Sequence, residues 1–400
     1  MSAHRPAVLG GRPAFPEGLR LLRPSLPAFE TVRPELERAF ASGILTKGPT
    51  LADYERRLAE HLGTRHAVAV SSCTLGLMLV LDGFGGGEAI MPSFTFMATA
   101  MAALRSGLTP VFADIRHDTW CLDARRAEEA ITPHTRVIMP VHLFGNPADS
   151  AAFEDLSRRT GIPVVYDAAH GFGALEQGRP VGGAGLAQAF STSPTKLLIT
   201  AEGGVVATDD DEVAARIVVG REYGNDGDYD VVHPGVNARL SELGAALGTA
   251  SLDQLEQEAS RRNRLAAVYR DALAGLDGIG FQTVAPGNRS SYKDLSVRLG
   301  RGFGLSRDAL AAALTAEGIQ TRAYYVPPAH RLTALAASRA RFEPLLPETN
   351  ALADEVLTLP MYGSLTEAHV ERVGEAVLAV HAQAPAVRRA LGESGEGGAR

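Results

Sequence analysis

The chain has 400 residues, of which 45% are apolar and 21% are charged. These proportions are typical of a globular protein with a sizeable core, and they exclude a wholly disordered chain. The formal net charge of -7 argues against a strongly basic nucleic-acid-binding protein. No apolar run is long enough to cross a membrane and the N-terminal residues lack a signal-peptide core, so we expect a cytoplasmic protein.

Two residue types that carry chemistry are scarce in this sequence. Lysine occurs only at Lys47, Lys196 and Lys293, and the other basic residues are arginines. Chemistry that requires an amine side chain therefore has three candidates. The two cysteines, Cys73 and Cys121, are too few for a disulfide framework or a four-ligand zinc site, so we expect no metal.

The first half of the chain alternates between predicted helices and predicted strands. After an extended arm rich in Pro and Arg, one helix begins near Phe29 and ends at Gly43, and an amphipathic helix then ends at Gly63. The alternation that follows predicts parallel βαβ units, with helices on both faces of a sheet and binding groups at the carboxyl ends of its strands. The predicted strands are HAVAVSS, EAIMPSF, TPVFADI, TRVIMPVHLFG and IPVVYDAAH.

The second half of the chain predicts a smaller α/β layer. A long helix runs from about Ser241 to Leu273, with a break near Ser260. The segments YKDLSVRLG and IQTRAYYVP then predict strands, and SRDALAAALTAEG and TEAHVERVGEAVLAVHAQA predict helices. We assign residues 1–245 to an N-terminal arm and large domain, 246–264 to a connecting helix, 265–390 to a small C-terminal domain and 391–400 to a disordered tail.

The segment FSTSPTKLLITAEGG places Lys196 among small hydroxyl residues in an otherwise apolar context. A buried ammonium is costly unless it is paired or used, and burial lowers its pKa, which favours the amine nucleophile that Schiff-base chemistry requires. The glycines Gly203 and Gly204 allow a sharp turn or a close backbone approach. On this segment alone, a lysine in a surface loop is the alternative.

Two strand ends carry further candidate binding groups. Asp167, at the end of VVYDAAH, can pair with a protonated ring nitrogen or cap a helix, and His170 can be a binding or a core histidine. Ser72, Cys73 and Thr74 begin a helix directly after a strand, where free N–H groups bind anions or the side chains simply cap the helix.

Three further candidates lie in other segments. Phe96, in PSFTF, can stack on a flat ring or belong to the core. Asn237 and Arg239 precede an Ala-rich helix and either reach a ligand or cap that helix. The order along the chain is more specific than any single motif: an anion site, an aromatic residue, an aspartate and then a lysine, as in fold-type I enzymes that use pyridoxal phosphate (PLP).

From about Phe15 to about Val380, the sequence resembles the sugar aminotransferases of the DegT/DnrJ/EryC1/StrS family. Two positions depart from the family pattern: Cys73 replaces a usual Gly, and Thr192 replaces a usual Phe beside the lysine. The matching stretches are ILTKGPTLADYERRLAEHLG, AVAVSSCTLGL, PSFTFMATAMA, PVFADI, YDAAHGFGA, STSPTKLLITAEGGVVATDD, GVNARLSELGAALG and LPMYGSLTEAHVERV.

The resemblance implies an α/β fold of aminotransferase fold type I. Its large domain is a three-layer α/β/α PLP-binding domain with a mostly parallel sheet, and its smaller C-terminal domain is also α/β. The family also implies a homodimer whose active sites are shared between the two chains, with no nucleic acid or membrane as partner.

The resemblance also implies a role for each matching residue. Lys196 would form the covalent link to PLP and move the proton, and Asp167 would bind the pyridine nitrogen. His170 would lie near the phenolic oxygen of PLP, and Phe96 would cover its ring. Cys73, Thr74 and Ser191 would hold the phosphate, and Asn237 would reach the phosphate bound by the neighbouring subunit.

A lysine where some relatives have histidine favours transamination, with glutamate as the donor that leaves as 2-oxoglutarate. YDAAHGFG and TRAYYVPPAH resemble the branch that aminates C4 of dTDP-4-keto-6-deoxyglucose to dTDP-4-amino-4,6-dideoxyglucose, in deoxyamino-sugar biosynthesis for an antibiotic or a surface glycan. The alternatives are a C3 sugar aminotransferase and a PLP-dependent dehydratase or aromatizing relative, such as an amino-hydroxybenzoate synthase. The candidate residues for the sugar and diphosphate are Tyr223, Arg239, Lys293, Tyr324, Tyr325 and His330.

Overall fold

Strands and helices alternate through the first half of the protein, as the apolar runs predict. The computed structural model describes residues 4–392. Helices α1 (Phe29–Ser42) and α2 (Pro49–Leu62) come first, and each ends at a glycine in the left-handed conformation, Gly43 or Gly63. The strands that follow are β1 (His66–Val70), β2 (Gly87–Pro92), β3 (Leu108–Ala113), β4 (Thr135–Ile138), β5 (Val165–Asp167), β6 (Leu175–Glu176), β7 (Arg179–Pro180), β8 (Ala187–Ser191) and β9 (Gly204–Thr208).

These strands form a mostly parallel sheet, apart from the short β6–β7 hairpin. The order is β3-β2-β4 in one part and β5-β8-β9-β1 in the other, and single parallel bridges from Ile138 to Val164 and from Val141 to Asp167 join the parts. In the part of this sheet that the structure describes, β9 runs antiparallel to both of its neighbours, β1 and β8. The predicted mostly parallel sheet is therefore confirmed. The helices connecting these strands are α3 (Cys73–Leu81), α4 (Met97–Arg105), α5 (Ala124–Glu129), α6 (Ser150–Thr160) and α7 (Asp211–Gly220).

One long helix, α8 (Glu242–Ala272), leads into a small antiparallel sheet. The predicted break near Ser260 is wrong: the helix is continuous over 31 residues, and the Ser260 hydroxyl donates to Glu256 one turn earlier. The strands of the small sheet are β10 (Ile279–Phe281), β11 (Leu295–Leu299) and β12 (Val356–Leu359), in the order β10-β11-β12. The remaining helices are α9 (Arg307–Ala316), α10 (Ala336–Phe342), α11 (Pro347–Glu355), α12 (Glu367–Ala382) and α13 (Ala384–Ala390).

The strand predicted for IQTRAYYVP is also wrong. This segment makes only single bridges, from Ile319 to Leu19 and from Arg322 to Thr358. Its apolar character has another cause, since Tyr324 and Tyr325 pack against the core of the first half of the chain.

The N-terminal arm packs onto the second core through a buried carboxylate. Oε1 of Glu317 accepts the backbone N–H of Ala7 and Oε2 accepts that of Ala14, each over 2.7 Å. His4 also contacts this carboxylate, at 3.1 Å. Phe15 joins the apolar cluster formed by the C-terminal elements. The arm is therefore part of the C-terminal core.

The domain division of the sequence analysis stays a proposal: the chain has two large apolar cores, but the arm, which that division groups with the large domain, packs on the second core. One contains the β2-β3-β4 strands and their helices, and the other is formed mainly by residues 265–387. Residues 329–356 are exceptional because several of their side chains pack on the first core. Within residues 4–392, no helix is long and apolar enough to cross a membrane. Of the disordered tail predicted for residues 391–400, Leu391 and Gly392 form a turn after α13 and Leu391 packs against the second core, whereas the rest of the tail lies outside the described residues.

Candidate active site

Four strands end at one edge of the large sheet, and the loops after them carry the candidate residues. β1 leads to Cys73, β2 to Phe96, β5 ends at Asp167, and β8 leads from Ser191 to Lys196. Parallel strands bring such side chains together because their carboxyl ends meet at the same edge.

The turn after β1 is built to bind an anion. The Ser72 hydroxyl accepts the N–H of Leu75 over 3.2 Å and so caps α3, whose first residues are Cys73 and Thr74. The first N–H groups of a helix have no partner within it and carry partial positive charge, which favours a phosphate. With Ser191 at the end of β8, these residues fit the phosphate group of PLP.

Cys73 fits this turn without its thiol taking a charge. Its Sγ donates to the carbonyl of Ala189 over 3.3 Å, and burial raises the pKa of the thiol well above its usual value. The backbone of Gly204 lies directly beneath, because a Cβ built there would be 2.4 Å from the backbone nitrogen of Cys73. The close backbone approach expected at this glycine is confirmed.

Asp167 is a buried carboxylate with a donor on each oxygen. The Thr99 hydroxyl donates to Oδ2 over 2.7 Å and the Ala169 N–H donates to Oδ1 over 3.1 Å. Burial raises the pKa of Asp167, whereas these two donors oppose that rise. A carboxylate oxygen can accept a further hydrogen bond, so Asp167 fits a protonated ring nitrogen.

Lys196 is an amine poised for nucleophilic chemistry. Burial, and next the positive charge of Lys293, lower the pKa of Lys196 to about 8. About a tenth of the amine is therefore unprotonated at pH 7, far more than for a lysine with the ordinary pKa. The loop that carries it is closed by a 2.6 Å hydrogen bond between the hydroxyls of Thr192 and Thr200, which accounts for the departure at Thr192.

His170 and Tyr325 form the opposite side of the site. Nε2 of His170 lies 3.5 Å from the Tyr325 hydroxyl, whereas its buried Nδ1 has no hydrogen-bond partner among the described residues. Burial lowers the pKa of His170 well below its usual value, so the ring is neutral. Phe96 is half exposed, and its ring centroid is 5.9 Å from that of Tyr325. An orphaned polar nitrogen and an open aromatic face fit a bound planar cofactor.

Lys293 and Tyr324 continue this side of the site. The Lys293 ammonium is 5.5 Å from the centroid of the Tyr324 ring and forms a buried ion pair with Asp294. The sequence analysis missed Asp294 and also Thr99, the donor to Asp167. Asp294 could have been predicted, because a carboxylate directly follows one of only three lysines in the sequence. Thr99 could not, because its contact with Asp167 joins residues 68 positions apart.

Tyr223 and Arg239 lie in a separate cleft of about 620 Å³, and none of the residues around Lys196 lines it. The Arg239 guanidinium lies over the Tyr223 ring at 5.4 Å and donates to Glu222, which also pairs with Lys47. Asn237 is exposed nearby and pairs with Glu222 through a backbone bridge. The backbone of Arg239 bridges to Val70 at the end of β1, whereas the Arg239 and Tyr223 side chains line the separate cleft.

His330 requires a correction. It is fully buried, its Nδ1 is 2.6 Å from the Ser93 hydroxyl, and its Nε2 is 3.2 Å from Glu343. With both ring nitrogens occupied, His330 anchors its segment to the end of β2 and offers nothing to a substrate. No group of three or more His, Cys, Asp or Glu side chains that could hold a metal occurs in the described part of the chain.

The fold and this constellation define a PLP-dependent aminotransferase of fold type I. The chain belongs to the DegT/DnrJ/EryC1/StrS aminotransferase family, whose model matches residues 29–378. It is accordingly a PLP-dependent sugar aminotransferase, and the predicted family, fold and cofactor are confirmed.

Several relatives match almost the whole chain. A dTDP-3-amino-3,4,6-trideoxy-α-D-glucose transaminase from Streptomyces venezuelae is 39% identical, covering 88% of this chain and 93% of the relative. A dTDP-4-amino-4,6-dideoxy-D-glucose transaminase from Escherichia coli is 33% identical, covering 89% of this chain and 97% of the relative. The crystal structure of DesI with its TDP-sugar product superposes with a TM-score of 0.88 at 36% identity, covering 96% of this chain and 98% of DesI.

Proposed function

We propose that this protein transfers an amino group from glutamate to C4 of dTDP-4-keto-6-deoxyglucose, giving dTDP-4-amino-4,6-dideoxyglucose for deoxyamino-sugar biosynthesis. The choice of C4 rests on the resemblance of YDAAHGFG and TRAYYVPPAH to the C4-aminating branch, and the two stretches meet in one site, where Nε2 of His170 lies 3.5 Å from the Tyr325 hydroxyl. The E. coli relative named for a 4-amino sugar supports the proposal. The cytoplasm stays the predicted compartment.

The site residues have separate roles in such a transfer: Asp167 and the turn at Cys73 bind the cofactor, and Lys196 moves the proton. Bound PLP supplies an electron sink, which works best while its ring nitrogen is protonated. Asp167 holds that proton in place, and the turn at Cys73 holds the phosphate. Lys196, with its pKa of about 8, both accepts and returns a proton near neutral pH, so it can carry the proton between the cofactor carbon and the sugar carbon.

Amination at C3 is the second candidate. The S. venezuelae relative named for a 3-amino sugar is 39% identical over 358 residues and favours it. Every cofactor-binding residue would serve either reaction. The carbon is selected by how the diphosphate is anchored, because turning the hexose presents a different carbonyl, and a misplacement of about 1 Å costs on the order of 100-fold in rate.

The regiochemistry is tested by offering the purified holoenzyme the 3-keto and the 4-keto dTDP-6-deoxyhexoses separately, each with glutamate. We expect turnover of the 4-keto sugar, with the new C–N bond located at C4 by NMR and one 2-oxoglutarate released per amino sugar. Turnover of the 3-keto sugar alone contradicts the C4 proposal. A sugar product without stoichiometric 2-oxoglutarate indicates the dehydratase or aromatizing alternative.

The proposal includes a homodimer in which Asn237, Tyr223 and Arg239 act in the partner's site. Tyr223 and Arg239 line a cleft that none of the residues around Lys196 lines, and the exposed Asn237 bridges to Glu222 of the same cleft, which supports this arrangement. A mixed dimer of Lys196→Ala and Asn237→Ala chains then contains one site with both lesions and one site with neither. We expect mixing of the two inactive variants to restore activity. A verified heterodimer without activity contradicts the shared site, because an Asn237 acting within its own chain leaves a lesion in each site.

A further inference from the structure

The buried side chains of Thr95, Thr99 and Asp167 form a chain of hydrogen bonds. This chain ends at the carboxylate that we expect to bind the ring nitrogen of PLP. The hydroxyl of Thr95 lies 2.8 Å from that of Thr99, and the hydroxyl of Thr99 lies 2.7 Å from Oδ2 of Asp167. Thr95 is 2% exposed, Thr99 is fully buried and Asp167 is 4% exposed. Thr99 is in α4, one turn after Phe96, whereas Asp167 ends β5.

The direction of the hydroxyl protons follows from the chemistry of the acceptors. An ionised carboxylate only accepts hydrogen bonds, so the contact with Asp167 requires Thr99 to donate. The carbonyl of Phe96 is the competing acceptor at 3.2 Å, but the carboxylate is both nearer and charged. The Thr99 hydroxyl donates its only proton to Asp167, so it can only accept a hydrogen bond from the Thr95 hydroxyl. The protons therefore run from Thr95 to Thr99 to Asp167.

We propose that Thr99, supported by Thr95, is a positioning residue that keeps Asp167 ionised and oriented toward the ring nitrogen of PLP. Two donors from different elements hold the carboxylate: Thr99 from α4 on Oδ2, and the N–H of Ala169 after β5 on Oδ1. Together they fix its rotation and leave lone pairs for the ring N–H. The inference rests on the cofactor and is independent of which sugar is the substrate.

The hydroxyl matters because burial works against the charge on Asp167. Burial favours the neutral acid, and each hydrogen bond to the ionised form favours the charged one. Without the hydroxyl, Asp167 becomes a stronger base, because burial then raises its pKa against one opposing donor fewer. The shared proton then resides more on Asp167, and less positive charge remains on the ring that must accept electrons.

The test compares Thr99→Val, which keeps the shape and removes the hydroxyl, with Thr99→Ser, which keeps the hydroxyl. In the apoenzyme labelled with ¹³C at the Asp carboxyl, the Asp167 signal is assigned by its loss in Asp167→Asn and followed over pH. We expect Thr99→Val to raise the pKa of Asp167 by about one unit or more, because one hydrogen bond to a charged group is lost. Thr99→Ser should stay within about 0.3 units of the wild type.

Two further measurements extend the test, and the first keeps the inference falsifiable if Thr99→Val folds poorly, because an unchanged Asp167 pKa in Thr95→Val then overturns it. Thr95→Val removes only the far member of the chain of hydrogen bonds and should raise the pKa of Asp167 by a smaller amount. In the PLP-bound protein, the ¹⁵N shift of the ring nitrogen should move toward the neutral form in Thr99→Val and not in Thr99→Ser. An unchanged pKa of Asp167 in both valine variants, or equal shifts in Thr99→Val and Thr99→Ser, overturns the proposal.

Discussion

The ammonium of Lys293 lies 2.9 Å from Oδ1 and 3.0 Å from Oδ2 of Asp294, the next residue in the chain. Both side chains are buried, at 7% and 5% exposure. A buried guanidinium, that of Arg262, donates to the carbonyl of Lys293 over 3.1 Å and holds this segment in place. The ion pair offsets the cost of burying the Lys293 ammonium close to Lys196. The positive charge of Lys293 in turn lowers the pKa of Lys196.

Replacing Lys293 with Met should raise the pKa of Lys196 above its value of about 8. A positive neighbour disfavours a second positive charge, so its removal favours protonated Lys196, and the unpaired Asp294 carboxylate acts in the same direction. The pH at which Lys196 becomes nucleophilic therefore moves up. The measurement is the rate at which an amine-specific reagent labels Lys196 in the apoenzyme, followed by mass spectrometry over pH.

The double variant Lys293→Met/Asp294→Asn is the matched control, because it removes both charges together. Its Lys196 pKa should lie closer to the wild type than that of the single variant, since burial remains the largest cause of the lowered pKa. A Lys293→Met profile that is unchanged or moved to lower pH would show that Lys293 does not act on Lys196.

Gly204→Ala should weaken binding of PLP by about tenfold or more. The new Cβ would lie 2.4 Å from the backbone nitrogen of Cys73 and push apart the turn that holds the phosphate, a clash of the kind that costs about 1–3 kcal/mol. The dissociation constant of PLP measured by fluorescence tests this, with Tm recorded alongside. Gly183→Ala is the control because a Cβ there meets nothing within 4 Å. Equal affinity in both variants would contradict the account of the turn.

Glu317→Ala should destabilise the protein by about 2–4 kcal/mol. The substitution removes the acceptor of the N–H groups of Ala7 and Ala14 and leaves the second of these buried without a partner. Urea unfolding measures the loss, and Glu317→Gln, which keeps one acceptor oxygen, should lose less. Glu375→Ala, at an exposed position of α12, should stay within about 0.5 kcal/mol of the wild type. A Glu317→Ala midpoint equal to this control would contradict the role of Glu317 in holding the arm.

Local patterns predicted the elements whose cause is local. Gly43 and Gly63 end α1 and α2 because the left-handed conformation they adopt is easiest for glycine. The alternation of apolar runs predicted the mostly parallel sheet. The same reasoning failed at Ser260, where the hydrophilic stretch belongs to a continuous helix whose Arg262 is buried and donates to the carbonyl of Lys293.

Contacts between distant segments were beyond sequence patterns. IQTRAYYVP is apolar because its tyrosines pack on the large core, which periodicity cannot distinguish from a strand. The sequence does not show that the ring nitrogens of His330 are occupied, because Ser93 and Glu343, which contact them, lie elsewhere along the chain. The roles of Lys196 and Asp167 stay predictions, and they could be made from the sequence because the order of several motifs, and not one contact, marked these residues.

Chemical trapping tests directly whether Lys196 is the amine that carries PLP. Borohydride reduction of the PLP-bound protein fixes the cofactor to its lysine, and peptide mapping then locates the modified residue among only three lysines. We expect modification of Lys196 alone, with Lys196→Ala losing both the trapped cofactor and its visible absorbance while Lys293→Met retains them. Trapped cofactor on Lys293 or Lys47 of the wild-type protein, or on any lysine of Lys196→Ala, would contradict this expectation.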